Sequence, residues 1–334
     1  MFNKKLKGSI TVPGDKSISH RAVMFASLAK GVSHISGFLN GADCISTINC
    51  FRQMGIEIEQ LNDKVVVNGK GMYGLSRPAK ELYCGNSGTT VRLLSGILCG
   101  QKFSSSLNGD ESIQKRPMAR VIDPLKSMGA NIGSLNDSCK TPLFIEPCFL
   151  HGIYYKSPVA SAQVKSAILL AGLYAEGETT VEEIYKSRDH TELMLESFGA
   201  GITSDDLRAS VSRTDELFAT DITVPGDISS AAFFLVAALI CPGSELLIRN
   251  VGINPTRSGI LEVLKDMGAD IETVDIYKAG AEPCADLLVR YSKLHATTIG
   301  GSIIPRLIDE IPVIAIAASM AEGTTVIKDA AELM

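Results

Sequence analysis

At 334 residues, with 45% apolar and 21% charged side chains, the chain is long enough for two domains and too apolar to be disordered, which excludes a small disulfide- or metal-stapled module. Its 32 basic and 37 acidic side chains leave a net charge of -5, which argues against a nucleic-acid or membrane-surface protein and makes any anion binding local. The eight cysteines form no C-x-x-C pair and no zinc spacing, so they read as buried free thiols of a reducing, cytoplasmic compartment, with no metal site.

The start, Met-Phe-Asn-Lys-Lys-Leu-Lys-Gly, has the charge of a secretion signal but lacks the apolar stretch that should follow. Thr11-Val-Pro-Gly-Asp15 then opens a helix of about fifteen residues, with Ile18, Ala22, Phe25, Ala26 and Ala29 on one core-facing stripe. Lys16 stands at the mouth of this helix and Ser17 and Arg21 lie one turn apart on one face, where free backbone N–H groups favour a phosphate or carboxylate. Gly69-Lys-Gly71-Met-Tyr-Gly74 runs into Arg77-Pro78 rather than a helix, so it reads as a hairpin turn and not as a dinucleotide fingerprint. Gly85-Asn86-Ser-Gly88-Thr89 is a second anion-suited turn, leading into an apolar helix that carries Arg92, and Lys115-Arg116-Pro117 offers a further guanidinium for the same mouth. Ser161-Ala-Gln163 opens another apolar helix with a hydroxyl and an amide suited to a polyhydroxylated ligand, and Ser187-Arg188-Asp189-His190 occupies the equivalent point of the next unit.

Thr223-Val-Pro-Gly-Asp227 repeats the opening turn, but Ile-Ser-Ser-Ala-Ala-Phe follows it, so the scaffold stays while every cation disappears. The helix from Ile228 to Cys241 is apolar almost all round and is expected at the centre of a core. Its uninterrupted apolar run, Ala231 to Cys241, is about half the ~20 residues a membrane helix needs. Asp309-Glu310, before a last apolar stretch, reads either as a helix-start charge preference or as a general base at a domain mouth opposite a cationic cleft.

One pattern organises the whole chain. Phe51-Arg-Gln-Met-Gly-Ile, Leu125-Lys-Ser-Met-Gly-Ala, Leu195-Glu-Ser-Phe-Gly-Ala and Leu264-Lys-Asp-Met-Gly-Ala start 74, 70 and 69 residues apart, each an amphipathic helix ending on a C-cap glycine before a strand. A fifth unit begins at Gly323-Thr-Thr-Val-Ile327 and stops at Met334, so the chain is expected to be cut in mid-unit. The units read as repeated βαβα-type pieces in two globules, residues 15–225 forming one and residues 1–14 plus 226–334 sharing the other.

Pro13-Gly-Asp-Lys-Ser-Ile-Ser-His-Arg21, Gly85-Asn-Ser-Gly-Thr-Thr-Val-Arg92, Gly109-Asp-Glu-Ser-Ile-Gln-Lys-Arg-Pro117, Ser161-Ala-Gln163 and Ile308-Asp309-Glu-Ile-Pro312 closely resemble, in order, the 5-enolpyruvylshikimate-3-phosphate synthase family. The resemblance implies an α/β (α+β) two-globule enolpyruvyl-transferase fold of repeated βαβαββ units, of the inside-out α/β barrel type, with the last units missing here. It implies transfer of the enolpyruvyl group of phosphoenolpyruvate to the 5-hydroxyl of shikimate 3-phosphate, by a cytoplasmic monomer without metal or organic cofactor. Lys16 would touch both substrates, Ser17 and Arg21 would hold shikimate 3-phosphate, and Gly88 and Arg116 would contact phosphoenolpyruvate, with Asn86, Thr89 and Arg92 shaping and supporting that turn. Ser161 and Gln163 would bind the shikimate side, Ser187 would reach the 3-phosphate, and Asp309 would be the base on the 5-hydroxyl. The family's Lys-Glu-Ser-Asp-Arg and Asp-His-Arg segments are not present, which leaves the activity of this chain open. A transferase acting on a UDP-sugar is the runner-up, disfavoured because that family carries Asn where Ser17 stands, and a non-catalytic anion-binding protein is the reading of another class.

Overall fold

A computed structural model describes residues 5–135 and 138–330, so the first four residues of the basic start and Met334 lie outside the described residues. The four helix-to-strand corners share one backbone device. Gly55, Gly129, Gly199 and Gly268 have φ of 86°, 90°, 85° and 86°, the left-handed conformation that ends a helix at low steric cost only for glycine. The helices are α1 (Lys16–Leu28), α2 (Ala42–Gln53), α3 (Gly88–Cys99), α4 (Glu111–Lys115), α5 (Ala119–Ser127), α6 (Ala162–Gly172), α7 (His190–Ser197), α8 (Ile228–Ile240), α9 (Gly259–Asp266) and α10 (Ile311–Ser319).

Each four- or five-stranded sheet repeats one order, a short strand parallel to its neighbour followed by an antiparallel pair. In the second repeat Leu82–Tyr83 runs parallel to Ser105–Asn108, which pairs antiparallel with Leu143–Glu146 and then Asn131–Ser134. The third has Tyr154–Lys156, Glu178–Glu182, Arg208–Ser212 and Ile202–Ser204 in the same relation. With the helices between, this is βαβαββ. The first and fourth repeats exchange their leading strands. Lys7–Thr11 lies parallel to Glu245–Gly252 of the fourth, while Leu217–Phe218 and Ile222–Thr223 lie parallel to Ala29–Ser36 of the first.

That exchange divides the chain into a larger unit, Lys16–Ile184 with Asp189–Thr223, and a smaller one containing the described residues up to Asp15, Tyr185–Arg188, and those from Val224 onward. The division differs from the 15–225 expected from the repeats in giving Asp15, Val224, Pro225 and, internally, Tyr185–Arg188 to the smaller unit. That internal segment goes with the smaller unit, within which Arg188 makes an ion pair with Asp309. Within the larger unit α3 and α6 approach unusually closely: a Cβ on Gly96 would stand 2.1 Å from the carbonyl oxygen of Ala167. The expected α1 stripe is buried, although its last member, Ala29, opens the strand Ala29–Ser36.

Three expectations need correction. Although α8 packs Leu235, Val236 and Leu239 into the core of the smaller unit, Phe233 and Phe234 are exposed, so the helix is not buried all round. Five of the cysteines are buried, but Cys139 is exposed and Cys148 and Cys241 are half-buried. The Gly71–Gly74 turn, closed by a 3.0 Å hydrogen bond, is a strand exit rather than a hairpin, since the next strand, Leu82–Tyr83, joins another sheet. Among the described residues no helix is long and apolar enough to cross a membrane.

Candidate active site

In the larger unit, α1 begins at Lys16, whose half-exposed ammonium lies 3.8 Å from Asp43. Ser17 does not meet Arg21 through its hydroxyl: Arg21 Nη1 donates to the Ser17 backbone carbonyl at 3.0 Å. The guanidinium is buried instead against two hydroxyls that sequence reasoning missed. Nε donates to Thr191 Oγ1 at 2.7 Å and Nη2 to Ser166 Oγ at 2.8 Å, and the two hydroxyls are 2.7 Å apart. A cation with its edge occupied by fixed acceptors has lost its rotamer freedom before any ligand arrives, which suits bidentate recognition of a phosphate.

The Gly85–Gly88 turn is held from both sides. Its Gly85 carbonyl accepts from Asp110 N at 3.0 Å, and Ser87 caps α3 by accepting from Thr90 N at 3.1 Å. A buried chain of polar contacts, His20 to Thr47 to Thr90 to Ser87, each 2.7 Å, ties this cap to α1. Asp110 also caps the short α4, with Arg116 at its C-terminal end, so one aspartate both pins the turn and aims the guanidinium back at it. Arg116 Nη2 donates to Asn86 Oδ1 at 2.9 Å. A Cβ on Gly88 would lie 3.0 Å from Arg116 Nη1 and 3.3 Å from Arg92 Nη1, so both arginine tips use the space that glycine leaves.

Arg92, one turn into α3, donates to Gln163 Oε1, and the Gln163 amide donates to Thr89 Oγ1 at 3.0 Å. Burial lowers the Arg92 pKa to about 10, with the neighbouring Arg120 and Arg116 charges pushing the same way; it remains a cation at neutral pH. Its Nε is buried with no hydrogen-bond partner. Ser161 caps α6, accepting from Val164 N at 3.5 Å, five residues before Ser166 of the Arg21 clamp. Asn86, Gly88, Thr89, Arg92, Arg116 and Gln163 therefore form one cluster, and Arg21 with Ser17 forms another in the same unit.

Asp309 and Ser187 lie in the smaller unit. Asp309, in the turn Ile308–Glu310 before α10, is half-exposed, pairs with Arg188 and has Arg257 Nη2 at 3.7 Å. Ser187 is buried. Arg257 is the missed centre of this region: Nη1 contacts Glu310 Oε1 at 2.7 Å, Nη2 lies 3.6 Å from Asp227, and Ser229 bonds both Arg257 and Glu310. Burial works against the Arg257 charge, but Glu310, Asp15, Asp227 and Asp309 together hold its pKa above the ordinary value. Arg257 was findable from the repeat, since it stands seven residues before Leu264 just as Arg188 stands seven before Leu195.

A family model described as EPSP synthase (3-phosphoshikimate 1-carboxyvinyltransferase) matches residues 2–334. A 3-phosphoshikimate 1-carboxyvinyltransferase of Brevibacillus brevis is 59% identical over 330 residues, covering 99% of this chain and 78% of the relative, and one of Bacillus subtilis is 58% identical over 328 residues, covering 98% and 77%. Among solved structures, an EPSP synthase from Acinetobacter baumannii superposes with a TM-score of 0.92 at 49% identity, covering 99% of this chain and 76% of that one. The enolpyruvyl transferase NikO from Streptomyces tendae, at 17% identity and a TM-score of 0.76 over 97% of this chain and 75% of its own, shares the fold.

Proposed function

Since the chain belongs to the EPSP synthase family, we propose that it binds shikimate 3-phosphate and phosphoenolpyruvate and transfers the enolpyruvyl group to the 5-hydroxyl, releasing phosphate. Both substrates are polyanions, so the enzyme must neutralise charge that water otherwise solvates. In this reading Arg21, backed by Ser166 and Thr191 and joined within its unit by Lys16 and Ser17, takes the 3-phosphate, and the family resemblance assigns Ser187 to the same ligand group. The Gly85–Gly88 turn, Asn86 and Arg116 take phosphoenolpyruvate, while Arg92, Gln163 and Thr89 fix the boundary between the two ligands and Ser161 adds a hydroxyl to the shikimate side. Asp309 removes the proton of the 5-hydroxyl as that oxygen attacks C2 of phosphoenolpyruvate while C3 takes up a proton, breaking the C2=C3 double bond. Lys16 supports the charged tetrahedral intermediate until C3 loses a proton, the double bond reforms and the bond from C2 to the phosphate oxygen breaks. The reading places the protein in the cytoplasm as a monomer working without a cofactor.

The observation that carries the proposal is the convergence of the Arg92 and Arg116 guanidiniums on Gly88, where their hydrogen-bond partners, Gln163 and Asn86, are uncharged amides. Calorimetric titration with shikimate 3-phosphate tests it. Saturable heat that disappears in Arg21→Ala supports the proposal, and no heat from protein that circular dichroism shows to be folded overturns it.

A further inference from the structure

Behind the Arg21 clamp lies a buried charged triad that the proposed chemistry does not use. Lys165, 2% exposed, places its ammonium 2.8 Å from Glu183 Oε2 and 2.7 Å from Glu192 Oε1, and both carboxylates are as buried as the lysine. Burial alone would disfavour the ammonium, but Glu192 and Glu183 outweigh it and hold the Lys165 pKa above the ordinary value. The three side chains come from three elements: α6, the residue following the strand Glu178–Glu182, and α7.

Their sequence neighbours are the clamp itself. Lys165 precedes Ser166, Thr191 precedes Glu192, and Ser166 and Thr191 are the two hydroxyls that hold Arg21. We propose that Lys165, Glu183 and Glu192 are positioning residues for phosphate recognition: by tying α6 to α7 they set the spacing of Ser166 and Thr191, and so the plane of the Arg21 guanidinium. This rests on the reading of Arg21 as the holder of the substrate phosphate. An ion pair serves this purpose better than an apolar contact, because its strength depends on distance and direction while hydrophobic packing tolerates sliding. The triad lies one peptide bond from each clamp hydroxyl, so any slip is passed on with little attenuation.

The test compares two ligands with the same ring, shikimate 3-phosphate and shikimate, titrated calorimetrically into wild-type protein, Glu192→Gln and Lys165→Met. Glu192→Gln keeps the side-chain shape, and circular dichroism establishes that each variant is folded. The expected result is that shikimate 3-phosphate binds Glu192→Gln about tenfold more weakly, the scale on which sub-ångström misplacement of a binding group acts, with shikimate changed by less than about twofold. Lys165→Met is expected to show the same selective loss where it folds; where it does not, Glu192→Gln decides. A merely structural triad lowers the affinity for both ligands together, and that result, or no loss for either, overturns the proposal. Wild-type protein that is folded but binds no shikimate 3-phosphate fails the underlying reading instead, a separate outcome visible before any variant is made.

Discussion

Helices α1 and α8 are both thirteen residues long and both entered through Thr-Val-Pro-Gly-Asp, yet the chemistry gathered around them is opposite in sign. The two turns are themselves joined, with Asp15 N donating to the Pro225 carbonyl at 2.8 Å and Asp227 N to the Pro13 carbonyl at 2.9 Å. After the first come Lys16 and Arg21, with α3 contributing Arg92 in the same unit. After the second, Asp227 and Glu310 gather around Arg257, which is in turn close to Asp309. The backbone device is shared, and the sign of the surroundings is decided by a few side chains that the turn only places. A duplicated scaffold can thus supply anion-binding groups in one copy and a carboxylate in the other without altering the path of the chain.

The most severe way to break this comparison is on the acidic side. Arg257→Met strands Glu310, 1% exposed, and Asp227, and removing one partner of a buried ion pair costs ~3–5 kcal/mol. Urea denaturation should show that loss, and a loss below about 1 kcal/mol would mean that the acidic cluster does not depend on Arg257.

The Asp227 carboxyl sharpens the same point through pH. Burial first, and then the Asp15 charge, raise its pKa to about 6 against the opposing pull of Arg257. The folded state therefore binds this proton more tightly than the unfolded chain, in which an aspartate titrates near ~4. Its contribution is fully present below about pH 4 and is lost as pH rises through about 6, a difference of about 2–3 kcal/mol. Asp227→Asn keeps an acceptor for the Ser229 N–H, so it should remove this fall in stability between pH 4 and 7 relative to wild type. Parallel stability curves for the two proteins would contradict the shift.

On the basic side the effects are smaller and fall on binding. In Gly88→Ala the new methyl group meets only the flexible tips of Arg116 and Arg92, so stability should change by less than about 0.5 kcal/mol. Affinity for phosphoenolpyruvate should fall about tenfold as those tips are displaced. Unchanged affinity in calorimetry would separate the glycine turn from ligand binding. Smallest is Ser87→Ala, which removes the α3 cap and should cost about 1 kcal/mol, read as a lowered denaturation midpoint. An unshifted midpoint would leave the turn anchored by Asp110 alone.

What the sequence revealed and what it concealed divide along a physical line. Gly55, Gly129, Gly199 and Gly268 announce their corners because a C-cap is decided by the residues beside it, and Gly85–Gly88 and the Pro-Gly-Asp turns are local in the same sense. Ser166, Thr191 and the Lys165 triad were illegible because each is an ordinary helix residue until α6 and α7 are brought together. Helix α8 misled for a related reason: apolarity states what a face can bury, and exposed Phe233 and Phe234 show that it does not state what covers it. Ser17 and Arg21 were correctly placed on one face, but their link runs through the Ser17 carbonyl, which no side-chain pattern could reveal.

The close approach at Gly96 reaches further than packing. Arg92 lies four residues before Gly96 on α3, and Gln163 four before Ala167 on α6, so the two side chains that bond to each other sit one turn beyond the point where the helices touch. The helices act as a pair of tongs pivoting on an absent side chain, and the gap at the tips is set at the pivot. Anyone seeking to admit a larger ligand would do better to alter position 96, where one added methyl group must spread both arms, than to carve at the arginines whose charge the ligand needs.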